Sequence, residues 1–254
     1  MNDFNRSYGA QGRAMDMSTD AGLRTFMLGV YNKLALGIAL AGIVAYAAGS
    51  IAPLTEILYG TSLRWVVMLA PVGLILFSNF AMRRPTPGGT AAMYWAIVVA
   101  MGLSMGIYFA MARIGLGGLS HMVIAKAFFI TAAMFGGLSL FGYTTKKDLG
   151  PIGTFAMMAL WGTFIIGMVF FVLPMIFPGL AFLQSSTMQM IISGGFALFS
   201  AVLIAWQTQS LKEGYYQFGG NADAMAVATN WGALNFFISF VNIFQFVLRM
   251  LSSD

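Results

Sequence analysis

Seven apolar runs, each close to twenty residues and parted by short polar or Pro/Gly-rich turns, leave this chain very few ways to fold. They cover about 29–52, 65–82, 91–112, 122–143, 152–172, 188–209 and 229–251. A helix rises about 1.5 Å per residue, so each run comes near the roughly 30 Å needed to cross hydrocarbon. In hydrocarbon every backbone N–H and C=O needs an internal partner, which selects helices. The expected fold class is an all-α integral membrane protein of seven transmembrane helices. Residues 1–25 are polar and read as a mobile cytoplasmic tail, and 26–254 as the seven-helix domain. No apolar segment with a cleavage site follows the first basic residues, so no signal peptide is expected.

Composition agrees with this reading. Of 254 residues 59% are hydrophobic and 8% charged, where a soluble domain carries nearer a quarter charged. Mean hydropathy is +0.82 and the pI about 9.6. That basicity does not point to nucleic acid, because the basic residues lie in short loops between apolar runs and set membrane orientation instead. With the amino terminus inside, the inner segments hold Arg6, Arg13, Arg24, Arg83, Arg84, Lys146, Lys147 and Lys212, and the outer ones hold Arg64, Arg113 and Arg249. The expectation is an amino terminus in the cytoplasm and a carboxyl terminus outside. Arg83-Arg84 and Lys146-Lys147 are also placed to meet anionic headgroups.

The last run carries a polar stripe. Asn235, Ser239, Asn242, Gln245 and Arg249 follow spacings of 4, 7, 10 and 14 from the first, which puts them on one helix face. Hydrocarbon offers such groups no partner. The last helix is therefore expected at the centre, wrapped by the other six, with its stripe on a protein-lined path or polar seam. Ser193, Ser200 and Gln207 recur every seven residues in the sixth run, which fits close helix packing or a second wall of that path.

Enzyme chemistry finds little footing. Gly102-Leu103-Ser104-Met105-Gly106 matches the nucleophile-elbow pattern, but it sits inside an apolar helix and not at a strand-to-helix turn. The one histidine, His121, precedes the fourth run, and all eight acids lie outside the long apolar runs. A serine without base and acid, and one histidine without cysteine, support neither a triad nor zinc. No metal site, no cofactor and no enzyme activity are expected. Gly102 and Gly106 also form a G-x-x-x-G that favours close helix contact.

Longer strings bring a resemblance. Phe129-Ile130-Thr131-Ala132-Ala133 and Ser139-Leu140-Phe141-Gly142-Tyr143-Thr144-Thr145-Lys146-Lys147-Asp148-Leu149 resemble the fourth-helix signature of the Bax inhibitor-1 family. Asn2-Asp3-Phe4 and Val30-Tyr31 are similar to its bacterial members. Ala205-Trp206-Gln207-Thr208-Gln209 resembles its sixth-helix motif, and Gly232-Ala233-Leu234 through Phe240-Val241-Asn242-Ile243-Phe244 its seventh. The resemblance implies a central last helix, a pH-sensitive calcium leak, and residence in the bacterial inner membrane. It also implies an aspartate on each of helices six and seven sharing a proton, with an arginine at the end of helix two beside them.

Arg83 stands at that arginine position, but the aspartate positions hold Gln207 and Ser239. Neither group titrates near neutral pH, and calcium prefers carboxylates among its oxygens. Gln207, Ser239, Arg83, Asn235 and Asn242 are the candidate path and gate residues, with calcium and pH gating expected to be altered or lost. Two function classes stay open. One is a passive leak with calcium as the ion. The other is a non-conducting regulator that binds lipids or other membrane proteins, such as a membrane protease.

Overall fold

A computed structural model describes residues 3–81, 84–217 and 220–252, and among these the side chains of all but 3–20, 79–81, 175, 178, 181 and 184. Seven long helices carry the chain: α1 (Asp3–Ser50), α2 (Leu63–Ala81), α3 (Pro87–Arg113), α4 (His121–Thr144), α5 (Gly150–Ile176), α6 (Ser186–Gln217) and α7 (Ala222–Ser252). No strand occurs among the described residues. Six segments are each long and apolar enough to cross a membrane, starting with Ala21–Ser50. One further pair is bent: Ala52–Gly60 and Leu63–Ser78 meet at 79°, and the count is seven if that pair is one span.

Local chemistry sets the helix ends. Thr86 caps α3 by accepting from Gly89 N–H at 3.1 Å, with Pro87 in the first turn, where its missing N–H costs nothing. Ser120 caps α4 through Val123 N–H at 3.2 Å, and Asn221 caps α7 through Ala224 N–H at 3.1 Å. Between α3 and α4 the chain turns on Gly115 and Gly118, whose φ values of 65° and 69° suit glycine. At Gly118 a Cβ would also strike the Ser252 carbonyl, so the end of α7 rests on that turn. Pro71 lies within α2 and removes one of its backbone donors.

α7 is the axis of the bundle. Of its most apolar window 56% is buried, against 6–33% for the other spans. It packs on α1, α3, α4 and α6, while α2 lies on α3 and α5 lies on α6 in an outer layer. Phe236, Phe237, Ile243 and Leu248 of α7 are all but fully buried. Tyr31 stacks on Phe236, and Phe135 meets Phe236 edge-on.

Small residues bring the neighbours close. A Cβ on Gly102 would meet Ala41 O at 2.9 Å, and one on Gly106 would meet Ala48 Cβ at 2.8 Å. The G-x-x-x-G of α3 therefore seats α3 on α1 within the same chain. Ser104, between those glycines, donates to Met101 O at 2.9 Å and is bound to its own helix.

Two hydrogen bonds mark the ends of the bundle. Lys212 donates to Tyr143 O at 3.3 Å, which places the end of α6 beside the end of α4 and the Lys146-Lys147 loop. Arg113 donates to Ser50 O at 3.1 Å at the opposite end. Lys33, in the first turns of the first apolar run, does not reach toward the nearer membrane surface. It turns inward, donating to Asn230 Oδ1 and lying 5.4 Å from the Tyr94 ring centre. Asn230 donates in turn to Thr90 Oγ1 at 2.7 Å and Pro87 O at 3.0 Å, so one amide joins α1, α3 and α7. A cation over an aromatic face with an amide acceptor is a satisfied arrangement, which the long way out to the headgroups would forfeit.

Candidate functional site

A cleft of about 520 Å³ runs along the polar face of α7, walled by α2, α3, α5 and α6. Its floor is Asn235, Ser239, Asn242 and Gln245 of α7 with Gln207 of α6. Asn235 to Gln245 covers ten residues, or about 15 Å of rise, close to half the hydrocarbon thickness. The walls are apolar: Val72, Ile75 and Leu76 from α2, Met157, Leu160 and Phe164 from α5. Ser78, Ser104 and Ser193 add hydroxyls. Ser78 donates to Ile75 O at 2.6 Å and Ser193 to Gln189 O at 2.8 Å, so both are held by their own helices.

Three contacts fix how α6 runs against α7. Asn242 Nδ2 donates to Ser200 Oγ at 3.0 Å, Gly232 faces Leu211, and Gly194 faces Phe246. In this antiparallel register Gln207 lies level with Asn235, while Ser239 is level with Leu203. Gln207 and Ser239 thus line one cleft about a helical turn apart in depth. Gln207 is 8% exposed and Ser239 3%. The Gln207 Oε1 atom is buried with no hydrogen-bond partner among the described residues. Asn235, by contrast, is exposed even though it sits midway along the central helix, so the cleft is open to the outside there.

Arg83 lies outside the described residues. Among the described residues the cleft wall carries no Asp, Glu, Lys, Arg or His. Beyond Gln245 the stripe ends at Arg249, which donates to Gln189 Oε1 at 2.6 Å and so ties α7 to α6 at that end. On the far side of α6 a second polar seam holds the bundle. Tyr31, Ser139 and Thr208 hydrogen-bond in a row across α1, α4 and α6, with Ser139 and Thr208 3.2 Å apart. Gln209 accepts from Leu149 N–H and donates to Lys147 O, both at 2.8 Å, clamping the α4–α5 loop to α6.

The sequence pattern points to the stripe through its spacing, and to Gln207 through its motif. It does not point to Ser78 and Ser104, because a lone serine in an apolar run looks the same whether it faces lipid, helix or cleft. Lys33 with Asn230 was also missed. The only trace in sequence is a lysine early in the first run and an amide at the start of the last.

Seven long helices, the last buried among the others with its polar stripe on the cleft, define a multi-pass helical membrane protein. The family described as "Inhibitor of apoptosis-promoting Bax1" matches residues 23–254, and the chain belongs to this Bax inhibitor-1 family. It is similar to an uncharacterised protein of Caulobacter vibrioides, 45% identical over all of this chain and 99% of that one. An uncharacterised protein of Rickettsia prowazekii is 32% identical, with 92% of each chain covered. A protein of Escherichia coli named inner membrane protein YbhL is 27% identical over 92% of this chain and 93% of its own.

Proposed function

We propose that this protein is a passive leak of the bacterial inner membrane whose polar path is the α7 cleft. In this reading the path selects calcium only weakly and lacks a proton-operated gate. The observation that carries the reading is the cleft floor: Gln207, Asn235, Ser239, Asn242 and Gln245 face one space without a carboxylate among the described residues. Amides and hydroxyls can pass or hold a hydrated ion, but they do not offer calcium the charge it prefers, and they do not titrate between pH 6 and 8. The ~15 Å of stripe and the Arg249–Gln189 tie fit a closed conformation, in which one end is sealed. Arg83, at the α2 end, is assigned a place beside Gln207 by the family resemblance alone. The end bearing Arg24, Arg84, Lys146, Lys147 and Lys212 belongs in the cytoplasm by the positive-inside rule, with the amino terminus on that side.

The test restores charge. The double change Gln207→Asp and Ser239→Asp places two acids a turn apart in a low-dielectric cleft, where one pKa rises toward neutrality. Calcium flux into proteoliposomes should become pH-dependent in the double variant and stay flat in the native chain. Flux that is pH-dependent in both, or calcium-selective in the native chain, would overturn the reading.

A second reading is a non-conducting regulator that binds lipids or other membrane proteins, among them a membrane protease. The exposed Asn235 midway along the central helix favours it, since an amide at that depth calls for a partner.

A further inference from the structure

The twenty methionines are scattered along the sequence, yet the fold gathers four of them on the cleft: Met68 of α2, Met101 and Met105 of α3, and Met157 of α5. Their depths follow from the helix contacts. Val67 and Leu103 share one apolar cluster, so Met68 and Met101 lie at nearly one level. Asn230 bonds Pro87 and Thr90 near the start of α3, and Ser252 rests on the turn after it, which runs α3 parallel to α7 and brings Met101 level with Asn242. Gly153 lies against Trp206 and Gly195 faces Thr163, so α5 runs antiparallel to α6. With the Asn242–Ser200 bond, that register puts Met157 level with Phe240. Thioethers from α2, α3 and α5 thus meet within about one helical turn of depth, ~5 Å. Met105, four residues beyond Met101, repeats its position one turn further out. Met68 stands at the rim, 42% exposed, where the cleft opens sideways between α2 and α5, and the other three are part-exposed.

We infer that the cleft binds a soft monovalent metal cation of the Cu(I) class, held by Met68, Met101 and Met157, with Met105 as the next station toward the outer end. This rests on the cleft being the functional site and names the ion class that it selects. A thioether is neutral and polarisable, and soft sulfur ligands select Cu(I), whereas calcium takes oxygen. A single charge also costs far less to strip of water inside a bundle than a double one. Methionine has three rotatable bonds, so thioethers on separate helices can close on one ion while the backbones stay in place. The expectation of no metal site counted histidine, cysteine and acids, and no group of three of these occurs among the described residues. A thioether site lies outside that count.

Sulfur packed only to fill space has no preference for a metal, and that difference is measurable. The full chain, labelled with carbon-13 at its methionine methyls, is placed in nanodiscs in chloride-free nitrate buffer and titrated with Ag(I), an air-stable probe of Cu(I) sites. The methyl signals of Met68, Met101 and Met157 should shift together and saturate at one ion per chain. Met122 and Met158, 65% and 63% exposed, should not move before that point. Calcium should move none of them. Met101→Leu with Met157→Leu keeps the apolar volume and should weaken Ag(I) binding at least about tenfold, the scale on which metal sites lose affinity when a supporting group goes. Binding is read here without conduction. Silver held by a chain that passes no ion would keep the site and end the leak, and a leak without methyl shifts would do the reverse. Ag(I) reaching Met122 and Met158 as early as the cleft methionines, or an affinity unchanged in the double variant, would overturn the inference.

Discussion

At the residue scale, the position that tells most about this protein is Gln207, buried with an uncharged acceptor atom that has no partner among the described residues. An aspartate there would answer to pH; an amide does not. Lys33 gives the contrasting case of a charge that the fold has satisfied, by Asn230 and the Tyr94 and Trp95 rings. Asn230→Leu should strand that ammonium and cost about 1–3 kcal/mol, read as a lowered unfolding temperature in detergent. Lys33→Met added to Asn230→Leu should recover most of the loss, because no charge is then left without a partner. An unchanged unfolding temperature in the single variant would show that Lys33 finds water instead. Periodicity made Asn235, Ser239, Asn242 and Gln245 legible in the sequence. The Lys33–Asn230 bond was not, since its partners are 197 residues apart and neither has a periodic signature.

At the element scale, α4 and α6 approach one another over Gly142. A Cβ there would collide with the Ala205 carbonyl oxygen and lie 2.8 Å from its carbon atoms, all backbone that cannot swing aside. Gly142→Ala should therefore push the two helices apart, weaken the Ser139–Thr208 bond and cost about 1–3 kcal/mol. Gly136 and Gly137, in the same helix, have nothing within 4 Å of a Cβ. Gly136→Ala should be neutral or stabilising by up to about 1 kcal/mol, from helix propensity. Parallel melts of the two variants check the contrast, and equal losses would refute the packing account. The apolar runs foretold every long helix, because hydrocarbon imposes one backbone solution. They did not foretell the 79° bend between Ala52–Gly60 and Leu63–Ser78, which follows a short helix that widens into a π turn over Glu56–Gly60. Nor did they show that four helices touch α7 directly while α2 and α5 stand outside. That division leaves α2 and α5 as the outer walls of the cleft.

At the scale of the whole molecule, the chain builds a multi-pass helical bundle around α7, with a cleft floored by amides and hydroxyls. The central position of α7 could be read from its stripe, because a polar face inside a membrane needs a protein wall. The cleft's volume and sideways opening could not, since they depend on how α2 and α5 lean, and helix–helix angles leave no mark on composition. The account rests on a polar cleft without a titrating group among the described residues, and one measurement reaches it directly. Purified native protein is reconstituted into liposomes, and calcium entry is followed at fixed ionic strength from pH 6 to pH 8. The flux should be small and vary little across that range. A calcium current that switches steeply with pH would contradict the account, for it would require a proton site that Gln207 and Ser239 cannot supply.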